Sequence, residues 1–395
     1  MSIGRKRSDE QELEEISKVN ALIVIVTLAA VGVAAFWLIL RTRNMHLWIG
    51  SYVRHFNSTA PAQLETGIDV YFCFADHYEP YGYGANRDTA HARVRRWTEH
   101  YPALASKHRD SDGKHPVHSF FYPAEEYDPD VLDQLKPICA AGLGDVELHL
   151  HHDNDTAENL ERTLNEFKTT LFERHGYLRR DPLDNQIAYC FIHGNWALDN
   201  SRPDGRWCGV TNELDVLVRT GCKCDMTMPS APSDTQTSKI NSIYFARGQP
   251  GKCKSHDTGQ DATRGKWGSL GELLLIQGPL CLNWMSRKLG IMPRIEASEI
   301  SHDTPPTPQR VALWERCAIG VHGAPEHIFI KVHTHGAVDE TMDMLFSGGF
   351  DDLWNALEAR FRDRSGYRLH YVSAWNMYLK VREVAGTRAS VEKSA

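Results

Sequence analysis

Imidazoles and carboxylates crowd into one short run: Val146-Glu147-Leu148-His149-Leu150-His151-His152-Asp153-Asn154-Asp155. Leu148 and Leu150 alternate with Glu147, His149 and His151. In a strand this puts apolar groups on one face and imidazole and carboxylate on the other. Neutral imidazoles beside carboxylates suit Zn²⁺ or another borderline divalent metal. Asp155 reads as a helix cap with Glu158 three residues on. Leu160, Leu164, Phe167 and Leu171 continue at helical spacing, and Gly176 is a stop signal. The pattern is a strand feeding a helix, with its polar groups gathered at the strand's C-terminal end. Parallel α/β folds build their active sites at such ends.

Three more apolar runs end in the same abrupt way. They are Phe74-Ala75-Asp76-His77-Tyr78-Glu79-Pro80, Phe191-Ile192-His193-Gly194-Asn195-Trp196-Ala197-Leu198-Asp199-Asn200 and Ile330-Lys331-Val332-His333-Thr334-His335-Gly336. Unpaired buried His and Asp are costly, so core packing is a poor explanation for all of these ends together. Asp225 closes a further short strand-like run. Asp76 or Glu79 is placed to take a proton from water, and His333 to return one to a leaving group. Asn195 and Trp196 offer an amide and a stacking surface, and Asp199 opens a polar loop.

The elements that must position these groups alternate between strand-like and helix-like. Strands are expected at 69–74, 116–121, 146–151, 187–192, 225–228, 273–276, 280–284, 327–332 and 367–372, with a hairpin around Gly278-Pro279. Helices are expected at 128–138, 156–173, 213–219, 338–346, 351–361 and 374–384. The stretch 248–268 reads as a long loop. Such alternation implies a parallel sheet, open or closed into a barrel. The domain runs over 67–384, between a connector at 41–66 and a polar tail at 385–395. Of 395 residues, 42% are hydrophobic and 24% charged, as in ordinary folded proteins. The net charge of −7 and the lack of any nucleic-acid motif argue against a nucleic-acid partner. Nine cysteines form no zinc-ribbon pattern.

Residues 21–40, ALIVIVTLAAVGVAAFWLIL, carry no charge and are long enough to cross a bilayer as one helix. A polar tail, 1–20, precedes them. The apolar run is long for a signal peptide and has no small-x-small site after it, so a retained single-pass anchor is expected. The domain is expected on the extracytoplasmic side.

The order of an Asp-bearing first strand, a His cluster on a Gly-preceded strand and a late Val332-His333 resembles the polysaccharide deacetylases. This is the NodB-homology group within the glycoside hydrolase/deacetylase superfamily. The resemblance covers about 69–384. It implies an irregular (β/α)7-type parallel barrel behind one N-terminal transmembrane helix. It also implies one divalent metal, zinc first, and removal of acetyl groups from a polysaccharide. Carried residue by residue, it makes Asp76 a metal ligand with His149 and either His151 or Asp153, and His333 the acid. Ala75 stands where the family has its base, which leaves Glu79 and Asp225 as candidates. His193, Asn195, Trp196, Asp199 and His335 are then placed to meet substrate. Proteins of polysaccharide synthesis or export are conceivable partners. Two other readings stand beside this one. A glycosidase on a related barrel would use two carboxylates and no metal. An inactive barrel would only bind glycan or act as a scaffold.

Overall fold

The structure, a computed structural model, describes residues 3–58 and 67–386. Residues 59–66 of the expected connector and 387–395 of the expected tail lie outside the described residues.

The core of the domain is a mostly parallel sheet. Its parallel strands are β1 (Ile68–His77), β2 (His118–Pro123), β3 (Gly144–Leu150), β4 (Ile187–His193), β5 (Cys222–Asp225), β6 (Leu273–Ile276), β7 (His327–Thr334) and β8 (Tyr367–Tyr371). They pair in the order β7-β1-β2-β3-β4-β5-β6. The ten-residue β1 is long enough to serve two neighbours on one edge. Ile68–Phe72 pair with β8, and Phe74–His77 pair with β2. The Ile243–Ala246 strand adds antiparallel to β6. Backbone pairing does not close the sheet into a ring among the described residues.

Side-chain parity sets the two layers. Val70, Phe72, Phe74, Val146, Leu148, Leu150, Ile328, Ile330 and Val332 face the helices in one apolar cluster. Tyr71, Cys73, Ala75, Ala188, Cys190, Ile192, Cys224, Leu274, Ile276 and Phe329 face the opposite way and meet in a second. That second cluster joins strands from both ends of the sheet, which requires the sheet to curl. Lys331 of β7 crosses this interior and donates from Nζ to the carbonyls of Met226 and Met228, at 2.8 Å each. Burial on both faces explains why the strands read as near-continuous apolar runs.

Several expectations shift. Leu273–Ile276 and Cys281–Lys288 form no hairpin with each other; the first joins the parallel sheet, and the second pairs with Met292–Glu296. The strand expected at 225–228 is instead Cys222–Asp225, ending where the expected one begins. Thr156, not Asp155, caps the Ala157–Thr170 helix, its hydroxyl accepting from the amide of Asn159 at 3.2 Å. The Arg87–Ala105 helix is unanticipated, although Ala90, Val94, Trp97, Tyr101 and Ala105 are spaced along its buried face.

The N-terminal helix runs from Ile3 to Thr42, so the segment expected as a polar tail continues the apolar helix. Its stretch Ser17–Thr42 is long and apolar enough to span a membrane, and its most apolar window is wholly exposed. The helix is not detached from the domain. Leu40, Met45 and Trp48 pack with Ala231, Ile240, Leu280 and Leu282. Asn44 donates from Nδ2 to the carbonyl of Pro232 at 3.0 Å.

Candidate metal and acid-base site

At the C-terminal ends of β1, β3 and β7 and just beyond them, the inward positions are titratable. His77 and Glu79 leave β1, His149 and His151 leave β3, and His333 and His335 leave β7. The rings of His77 and His149 are 5.0 Å apart, those of His77 and His335 4.9 Å, and those of His149 and His151 4.6 Å. Glu79 is the centre. Its Oε1 lies 3.2 Å from His149 Nε2 and 3.6 Å from His151 Nε2. Glu79, His149 and His151 each offer one ligand atom within 4.8 Å of the others, and so do His77, Glu79 and His335.

The hydrogen bonds fix how these rings face the site. His149 Nδ1 meets the carbonyl of Ile192 at 2.7 Å, which turns Nε2 toward Glu79 Oε1 at 3.2 Å. His151 Nδ1 is held by Glu125 Oε1 at 2.5 Å, so its Nε2 also turns to Glu79. His77 Nε2 and His333 Nδ1 are buried without a hydrogen-bond partner among the described residues. Unpaired buried imidazole nitrogens mark a place where a polar ligand belongs.

Electrostatics separates these rings. Burial works against ionisation of Glu79, but the hydrogen bond and charge of His149, with His335 and His151, hold its carboxyl down at about 2. Burial also opposes charge on His151, yet Glu125 and Glu79 raise its pKa. His77 is pushed well below the ordinary range by burial and by its imidazole neighbours. His333 is pushed the same way by burial, Lys331 and His335. Both shifts favour the neutral imidazole.

Asp76 does not join this group. Parity turns it to the helix-facing side of β1, where it is fully buried. Oδ2 meets His118 Nε2 at 2.8 Å, and Oδ1 accepts from the Gly336 amide at 2.7 Å. The expected ligand set of Asp76 with His149 is not assembled, and Glu79 supplies the carboxylate instead. Asp76 ties down the turn that carries His335. A Cβ on Gly336 would stand 2.2 Å from Asp76 Oδ2, so only glycine permits this approach. Asp153 is likewise occupied elsewhere; it is exposed, and its Oδ1 accepts from the Trp207 amide at 2.6 Å. Asp225 is buried, with its carboxylate on the Thr227 amide and hydroxyl at 3.1 and 2.7 Å. No hydrogen bond joins it to His149 or His333.

The residues expected to meet substrate divide. Trp196 forms a wall of the site, its ring 5.9 Å from His77, 5.9 Å from His335 and 6.5 Å from His333. Asn195, Trp196, Asp199 and Asn200 all adopt positive φ, between 51° and 54°. Non-glycine residues held in that region mark a backbone constrained by its surroundings. Gly194 lets the loop begin against His151, where a Cβ would come within 2.3 Å of the ring. His193, by contrast, points to the helix side and joins His152, Cys208 and Glu213. Asp199 is buried and accepts from the Ser255 amide at 2.6 Å. Sequence reasoning missed His77, Glu125, Cys208 and Glu213. Of these, His77 had a signal, because it shares the parity of Glu79.

The two best-formed cavities lie elsewhere. The larger, about 920 Å³, is lined by Pro306, Asp352 and Arg360. The smaller, about 870 Å³, lies by the starts of β1 and β7 and is lined by His55, Ile68, His327 and Ile328. Neither touches the titratable group around Glu79. No family model matches the chain, and no curated protein matches it.

Proposed function

We propose that the protein is a membrane-anchored, metal-dependent hydrolase that removes acetyl groups from a polysaccharide. The observation that carries this reading is the Glu79–His149–His151 group, one carboxylate and two imidazoles with Nε2 atoms turned to it, beside the partly exposed Trp196. The curled sheet is read as an incomplete barrel of the expected kind, with this group at the C-terminal ends of its strands. The N-terminal helix is read as an anchor retained at the membrane.

The donor set fits a divalent cation: three protein groups of nitrogen and oxygen, with a partly exposed side toward Trp196. Glu79, His149 and His151 would hold it, and when bound it would polarise the acetyl carbonyl and make water more acidic. The chain's own residues do the rest. Trp196 stacks against a sugar ring and sets its distance from the imidazoles. Neutral His333 takes the proton as water attacks the acetyl carbon. It then gives that proton to the departing sugar oxygen or nitrogen. Asp76 keeps His335 in place by holding the turn at Gly336.

The test is release of acetate from a panel of acetylated glycans by the full-length protein in detergent, with and without chelator. Chelator-sensitive release supports the reading. Release unaffected by chelator and accompanied by chain cleavage would favour a glycosidase. No release from any glycan by metal-loaded protein would leave only glycan binding.

A further inference from the structure

We propose that the chain holds a second metal ion, of structural type, between His152, His193, Glu213 and Cys208. This site is independent of the deacetylase reading. Its four donors come from four segments: the turn after β3, the end of β4, the loop that follows, and the start of the Glu213–Arg219 helix. One donor atom from each lies within 4.8 Å of the rest. His152 Nε2 and His193 Nε2 stand 2.9 Å apart, and Glu213 Oε1 lies 3.2 and 3.4 Å from them. His193 Nδ1 is held by the Gly194 carbonyl at 2.5 Å, whereas His152 Nδ1 lies 3.1 Å from Asp155 Oδ2 without the geometry of a hydrogen bond. His193 therefore favours its proton on Nδ1. The His193 Nε2 lone pair then faces His152 Nε2 and Glu213 Oε1 inside the protein, a convergence of donor atoms that suits a cation between them.

The surroundings of the sulfur point the same way. The amides of Asn200 and Val210 donate to Cys208 Sγ at 3.3 and 3.4 Å. Amides aimed at sulfur stabilise a thiolate more than a thiol. Glu213, His193 and Cys208 are fully buried, so the site has the closed character of a structural zinc centre, with Cys, His and carboxylate ligands. Such an ion would pin both ends of the 194–212 loop, and with it Trp196.

Cobalt distinguishes the two sites, because the Glu79 group contains no sulfur. Full-length protein is stripped of metal, reloaded with Co²⁺ and examined by absorption. A thiolate-to-cobalt charge-transfer band is expected in the wild type. It should vanish in Cys208→Ser and persist in Glu79→Gln. His193→Gln, checked for folding by circular dichroism, should also lose it. Absence of the band in the wild type, or its survival in Cys208→Ser, overturns the assignment. Activity plays no part in the readout.

A different observation carries a second inference: the geometry points to the Cys281–Glu296 hairpin as a second contact with the bilayer, on the reading that the N-terminal helix stays in it. Trp284, Met285, Leu289 and Ile291 are 51%, 80%, 91% and 72% exposed, an apolar tip left open among the described residues. Arg287, Lys288 and Arg294 lie among them, the mixture an anionic lipid surface takes up. The base of the hairpin is continuous with the anchor. Leu282 and Ile295 pack with Leu40, Met45 and Trp48, where the apolar helix ends.

The test places a polarity-sensitive fluorophore on Leu289→Cys in a Cys253→Ser background, which removes the one exposed native thiol. The full chain is reconstituted into phosphatidylcholine–phosphatidylglycerol vesicles. A blue shift on reconstitution is expected, with quenching by lipids brominated in the upper acyl chain. Emission that remains water-like and quenched by aqueous iodide overturns the contact, whether the helix is retained or cleaved. Fractionation of the same sample reports the helix separately.

Discussion

The group around Glu79 and the group around Glu213 are built from the same chemistry at neighbouring strand ends, yet they are closed to different degrees. The Glu79 side chain keeps 14% of its exposure, and His151 keeps 29%. Glu213 and His193 keep none. The first group borders a partly exposed tryptophan and has unsatisfied imidazole nitrogens. The second has the His193 ring fixed from behind, sulfur and carboxylate turned inward, and two amides aimed at the sulfur. Open sites can exchange ligands and do chemistry, whereas closed ones contribute stability. The comparison teaches that counting histidines does not identify an active site; what surrounds the donors does.

The largest effect expected from breaking this contrast is on stability. Glu213→Ala leaves His152 and His193 buried without their carboxylate. Removing one partner of a buried charged set costs about 3–5 kcal/mol. Urea unfolding should show that loss, and a change below about 1 kcal/mol would mean the Glu213 group is not a staple. Glu79→Gln should act in the opposite sense. Activity should fall about 100-fold or more, the scale on which metal-site substitutions act, with the urea midpoint nearly unchanged. Equal losses of stability in both variants would erase the distinction.

Two smaller effects sharpen it. Lys331 lies behind the open group, and its charge is one reason that His333 holds a proton weakly. Burial brings Lys331 itself down to about 8. Lys331→Met should therefore raise the pKa of His333 and move the acidic limb of the kcat/KM profile to higher pH. A limb that stays put removes His333 from proton transfer. Asp225 provides a reference outside both groups. Burial raises its carboxyl from 3.8 to about 7, against the hydrogen bonds from Thr227. The folded state thus binds a proton that the unfolded state releases, so this residue's contribution to stability falls as pH rises from about 4 to about 7. Asp225→Asn should flatten that part of the stability profile, measured by urea unfolding at several pH values. An unchanged slope would show that another group governs it.

Much of the site's machinery was legible in alternation. The spacing of His149 and His151, two residues apart at a strand end, pointed to one face, and their rings do meet. Glu79 was legible as a carboxylate two residues beyond His77, but its place at the centre of the imidazoles was not. Asp76 was misplaced by analogy, since its parity sends it to His118 and Gly336. The Arg87–Ala105 helix escaped notice because its charged residues obscure an apolar face that is nonetheless regularly spaced.

The sequence by itself determined the apolar N-terminal helix, the parallel strands and the inward or outward parity of each strand residue. These follow from local periodicity and from the length of an uncharged run. Only the tertiary structure decided which histidine belongs to which group. His151 and His152 are adjacent in the chain, yet one meets Glu79 and the other Glu213. Beyond Leu150 the backbone leaves the strand, so the period of two no longer assigns a face. Cys208 and Glu213 enter through a loop whose path is set by long-range contacts such as Ser255 with Asp199, and no local pattern encodes those.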